Sequence, residues 1–158
     1  MPHVVSKLTS VGSMGDLARI TAKLEELGMN IIAIGGGEGA TGNGEVGVVA
    51  LLLDHDDDID NVAETLRNLP LDDNRRLADV ELAEHVHIIV FDLPGALAAV
   101  ANALAGINIR TVISMGTTIG RTHVSLGFRQ VDAANARNAL AAVEGVIVVP
   151  IEEEPAAG

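Results

Sequence analysis

The chain has 158 residues, 48% of them apolar, and a formal net charge of −12. That length suits one ordinary domain or two small ones, with a core that is almost wholly aliphatic because Phe91 and Phe128 are its only aromatic residues. The absence of cysteine excludes disulfides and zinc–thiolate sites, and the acidic surface excludes nucleic acid and anionic membranes as partners. No apolar run is long enough to cross a membrane and Met1-Pro2-His3 opens no signal peptide, so a cytoplasmic location is the expectation.

In chain order, Val4 to Ser10 alternates like a strand. Leu17, Ile20, Leu24 and Leu27 then fall on one helical stripe that Gly28 terminates. Asn30 to Ile34 and Glu45 to Leu53 read as strands. Ile59, Val62, Ala63, Leu66 and Leu69 form a second stripe, stopped by Pro70. Leu71 to Arg75 reads as a connecting loop and Arg76 to Leu82 as a closing strand. The order then repeats: His85–Phe91 (strand), Ala96–Leu104 (helix), Asn108–Met115 and Arg121–Phe128 (strands), a helix burying Ala136, Ala139, Leu140 and Val143, and a last strand at Val146–Val149. Both copies are βαββαβ, so the expected fold is α+β: two tandem ferredoxin-like repeats, with antiparallel sheets and helices on one face. The expected boundaries are 1–78 and 79–151, followed by a flexible acidic tail at 152–158. Local echoes support a duplication: Gly15-Asp16-Leu17-Ala18 against Gly95-Ala96-Leu97-Ala98, and Gly28-Met29-Asn30-Ile31 against Gly106-Ile107-Asn108-Ile109.

Four motifs invite chemistry. Asp92-Leu93-Pro94-Gly95-Ala96-Leu97 joins a strand to a helix whose first N–H groups form a weak anion site; the plain alternative is an ordinary β–α turn. Gly37-Glu38-Gly39-Ala40-Thr41-Gly42 has the glycine spacing of a dinucleotide loop, but a strand follows it rather than a helix, so a long hairpin loop is expected. Asp54-His55-Asp56-Asp57-Asp58 could hold a hard cation, yet it precedes a helix, where capping explains it and no metal is expected. If Val86, Ile88 and Val90 face the helices, then His85 and His87 point away from them, and His123 and Ser125 join them across the sheet, with Arg110 a further candidate. That face is polar surface or, less simply, a metal or enzyme site. Its counterpart in the first copy, Val5, Ile32, Ile34, Val49 and Leu51, is apolar and must be covered by the other repeat or another chain.

Asp-x-Pro-Gly-x-Leu, an apolar helix and Gly-Ile-Asn-Ile together resemble the ACT domain family; the first copy matches less well, since Gly12-Ser13-Met14-Gly15 lacks the Asp and the Pro. The resemblance implies a regulatory protein, not an enzyme and without a cofactor, that binds a small ligand, commonly an amino acid, where two such domains pair. One domain would offer Asp92, Gly95 and Ala96 while another offers Asn30 and Ile31. The pseudo-symmetric set is Ser13, Gly15 and Asp16 with Asn108. With no catalytic or DNA-binding domain expected on the chain, its response would pass through a partner protein, and a homodimer is expected. The competing function is an assembly or interaction subunit without a ligand site.

Overall fold

The computed structural model describes residues 3–9, 11–41, 44–54 and 58–150. Its elements in chain order are β1 (His3–Thr9), α1 (Met14–Glu26), β2 (Ile31–Thr41), β3 (Gly44–Asp54), α2 (Ile59–Asn68), β4 (Asp79–Phe91), α3 (Ala96–Ala103), β5 (Ile109–Thr118), β6 (Arg121–Phe128), α4 (Gln130–Ala141) and β7 (Val146–Val148). The fold is α+β, with two tandem ferredoxin-like βαββαβ repeats. Residues 152–158, the expected tail, lie outside the described residues.

The helices form where the apolar stripes predict. Ile20 and Leu24 of α1 and Val62, Ala63 and Leu66 of α2 are buried against the first half of the sheet. Gly28, at φ 72°, ends α1 in the left-handed conformation, and Met29 N–H returns to the Leu24 carbonyl at 2.9 Å.

The sheet is antiparallel throughout, in the order β2-β3-β1-β4-β6-β5, with β7 also pairing β4. One strand replaces two expected ones. β4 runs unbroken for 13 residues because nothing between Leu82 and His85 interrupts it. Its first half closes the first repeat beside β1, from Thr9↔Asp79 to Val4↔Glu84. Its second half opens the second repeat between β6 and β7. A 3-10 turn at Asp72–Asn74 leads into it, with Asp73 and Asn74 at φ 58° and 55°.

The glycine-rich segment is also strand rather than loop. Gly36 pairs Val49, Gly37 pairs Val48 and Gly39 pairs Val46, because glycine carries the full set of backbone ladder groups. An antiparallel partner follows, so no helix receives a pyrophosphate there.

Even-numbered residues of β4 face the helices in both repeats. Leu8, Leu51, Leu53 and Val80 build one core with α1 and α2. Val86, Ile88 and Val90 build the other with Val124, Leu126, Phe128, Val100 and Leu140. The expected apolar set on the opposite face is corrected. Leu51 and Val49 pack on the helix side, and Ile34 pairs Leu51 in register. A bulge between Ile31 and Ala33 resets the side-chain alternation, leaving Ile32 and Ile34 39% and 49% exposed on the edge strand. Val5 lies opposite Leu52 and Ala83 in register, but its side chain is outside the described residues. The helix-free face is lined instead by Leu52 and Ala83, which close on Ile113 of β5 with Ala33, Ala50 and Met115 around them. Edge strands β2 and β5 lie against each other, and a Cβ on Gly35 would meet Ile113 at 3.8 Å. The sheet therefore rolls onto itself, and the second repeat covers the first.

Candidate functional site

After Phe91 the chain turns sharply. Asp92 N–H donates to the Gly120 carbonyl at 2.9 Å, Leu93 N–H to Phe91 at 2.8 Å, and Ala96 N–H to Leu93 at 3.1 Å. Gly95 takes φ 85°, ψ −3° at the cap of α3, which a side chain other than Asn or Asp would adopt only under strain. Ala99 N–H bonds the Gly95 carbonyl, but no side chain caps the helix. Among the described residues the N–H groups of Leu97 and Ala98 have no protein acceptor. Asp92, Leu93, Pro94 and Gly95 are exposed, and a Cβ on Gly95 would find nothing within 4 Å. The result is an open, electropositive helix start flanked by the exposed side chains of Leu93 and Leu97.

The corresponding turn of the first repeat is closed. Ser13 caps α1, its Oγ accepting from Asp16 N–H at 3.2 Å. Asp16 is fully buried, and its carboxylate faces protein rather than solvent: it accepts from Gly12 N–H (2.8 Å), Asp72 N–H (3.0 Å) and Arg75 Nη2 (2.6 Å). Burial pushes its pKa up, but those two N–H groups and the guanidinium outweigh burial and hold it below the ordinary carboxylate value. The Asp72 carboxylate lies over the helix start. It accepts from Ser13 Oγ at 3.3 Å, pairs Arg19 Nη2 at 3.0 Å, and would stand 2.7 Å from a Cβ on Gly15.

Asn30 immediately precedes edge strand β2, which Ile31 begins, and the Asn30 carbonyl accepts from Asp54 N–H at 2.9 Å. Strands β3 and β1 separate β2 from β4, and no hydrogen bond joins Asn30 or Ile31 to Asp92, Gly95 or Ala96 among the described residues. Asn108 is exposed before β5 and lines a shallow cavity of about 370 Å³ with Ile109, Arg110 and Arg129. Arg129 was not evident from sequence pattern, and neither was Asp72. The hairpin register Ile109↔Phe128 is the signal that brings Arg129 beside Asn108.

The histidine alignment is as the strand alternation predicts. His85 Nδ1 lies 2.6 Å from Ser125 Oγ, and His87 Nε2 lies 3.0 Å from His123 Nδ1. Arg110 does not join them; it bonds Glu81 at 2.8 Å. His85 and Ser125 are buried, as is the Thr111 hydroxyl, which has no hydrogen-bond partner among the described residues. This face is therefore interior rather than solvated. No group of three His, Asp or Glu suited to a metal occurs among the described residues. Of the acidic run, residues 55–57 lie outside them; Asp58 occupies the cap position of α2, but its side chain makes no capping bond. No helix among the described residues is long and apolar enough to cross a membrane.

No protein-family model matches the chain, and no curated protein matches it. Solved structures do. Protein BT0572 from Bacteroides thetaiotaomicron is 20% identical with a TM-score of 0.59, over 94% of this chain and 93% of its own. The regulatory subunit of aspartate kinase from Thermus thermophilus is 19% identical with a TM-score of 0.57, over 90% and 93%. Aspartokinase III from E. coli, in complex with aspartate and ADP, is 21% identical with a TM-score of 0.55, but the match spans only 32% of that chain. At these identities the likeness is one of fold.

Proposed function

We propose that the chain is a regulatory protein of the ACT type that performs no chemistry itself and binds an amino acid at the Asp92–Ala96 turn, where ACT-like repeats meet. The observation that carries this reading is the open start of α3: Gly95 faces empty space, and Leu97 and Ala98 present N–H groups without acceptors. Those groups and the helix dipole suit a carboxylate. A zwitterion carries no net charge, so a chain of net charge −12 repels it little. The fold shared with an aspartate kinase regulatory subunit over most of both chains supports a regulatory role.

The two repeats, which share strand β4, serve as the two ligand-facing modules. Asn30 and Ile31 stand apart from Gly95 within one chain, so the complete site uses these residues from a second copy, in a homodimer. Exposed Ile32 and Ile34 beside them supply apolar contact area for that pairing. The regulatory output passes to a separate partner protein.

Thermal-shift screening of the proteinogenic amino acids, aspartate included, tests the reading. A ligand at 100 times its dissociation constant stabilises by about 2.7 kcal/mol. Calorimetry with the best hit then compares wild type with Gly95→Asn. Asparagine tolerates the left-handed conformation, so this variant stays folded while placing a side chain where the ligand approaches. Affinity falls at least tenfold if the reading holds. Unchanged affinity, or no amino acid that stabilises the wild type, overturns it.

A further inference from the structure

The two repeats share a fold but treat their helix starts in opposite ways. At α3 the start is open and uncapped. At α1 a carboxylate from the inter-repeat turn sits over the helix start and is held there from two sides. Its own oxygens reach Ser13 Oγ and Arg19 Nη2. Its backbone N–H is pinned to the buried Asp16, which also holds Gly12 N–H and Arg75. The turn that delivers it has two consecutive residues at positive φ, Asp73 and Asn74, the non-glycine residue types that adopt this conformation most readily. The local sequence of the turn and the contacts on both sides of Asp72 thus favour the same placement. A hydroxyl, a guanidinium and the positive end of a helix are the groups that would receive a free carboxylate.

We infer that Asp72 fills the anion position of the first repeat with the chain's own carboxylate and so determines which repeat binds a small carboxylate. The degenerate turn Gly12-Ser13-Met14-Gly15 is thus a receiving site already occupied from within. In its bearing on ligand choice this inference rests on the function proposed above, because it confines amino-acid binding to the second repeat. Its structural half, self-occupation by Asp72, does not.

The test separates the two. Asp72→Ala removes the carboxylate but keeps the backbone bond to Asp16, and Asp72→Asn, which preserves shape without charge, stands in if the alanine variant does not fold. Sodium acetate is the probe, against sodium chloride at equal ionic strength. Acetate raises the Tm of the variant by about 3 °C more than that of the wild type, the size expected for a modest ligand on a chain of this length. It also moves the amide resonances of residues 13–16 in the variant alone. Equal acetate effects on both proteins, or none on the variant, overturn the inference. A second arm uses the best-stabilising proteinogenic amino acid in calorimetry. One site per chain in wild type and two in Asp72→Ala support the assignment, and two in wild type refute it. If no amino acid binds wild type, the proposed function fails while the acetate arm still decides the role of Asp72.

Discussion

Asp16 shows how a residue that sequence pattern places beside a ligand can be wholly engaged by the protein. Its position after Gly15 matches Ala96 after Gly95, yet both of its oxygens are used by Gly12, Asp72 and Arg75. A buried carboxylate with three donors is costly to alter, since each donor loses a charged acceptor. Asp16→Asn is expected to destabilise by about 2–4 kcal/mol in urea unfolding at neutral pH. The pH dependence has a definite sign. The folded pKa lies below the ordinary 3.8, so the stabilisation is fully present above that value and disappears as pH falls through the folded pKa. Wild type and Asp16→Asn should therefore converge in stability when unfolding is followed down into strong acid. A constant gap throughout would count against the ionised carboxylate as its source. Nothing local in the sequence announces this arrangement, because Asp72 and Arg75 are 56 and 59 residues away.

At the scale of elements, the strands touch where glycine leaves room. Gly127 on β6 stands under β5: a Cβ there would lie 2.2 Å from Thr111 Oγ1 and 3.2 Å from the Ala83 Cβ. Gly127→Ala should lower stability by about 1–3 kcal/mol, because the sheet must part to admit it. Gly35 on β2 offers a contrast, since its Cβ would make ordinary contact with Ile113 at 3.8 Å. Gly35→Ala should be neutral or stabilise by about 0.4–1 kcal/mol through the unfolded chain. Urea midpoints of the two variants check both, and a reversed order would contradict the rolled-sheet packing. Strand periodicity correctly placed His85, His87, His123 and Ser125 on one face. It misplaced Leu51 and Val49 because β3 is apolar at successive positions, so pattern does not tell its two faces apart; the register puts Leu51 and Val49 opposite Ser6 and Leu8, and Leu52 opposite Val5. On β2 the bulge between Ile31 and Ala33 shifts the alternation, and a backbone irregularity of that kind leaves no signal in an apolar run such as Ile31-Ile32-Ala33-Ile34.

For the whole molecule, the shared strand β4 and the small core of Leu52, Ala83 and Ile113 tie the repeats together. Neither repeat can lose its edge of β4 without exposing the other, so calorimetry should show one cooperative transition. Ile113→Ala, at a position 1% exposed, should cost about 2–5 kcal/mol and shift that single transition rather than split it. Two resolved transitions in the variant would mean that the repeats unfold independently. The sequence by itself determined the α+β class, the βαββαβ order, the helix stripes and the turn before α3, because each depends on residues within a few positions of one another. Only the tertiary structure decided that two predicted strands are one, that the apolar face is covered from within, and that Asp72 closes the first turn while the second stays open. Those outcomes depend on which distant segments meet, and local periodicity and spacing leave that choice to the packing of the whole chain.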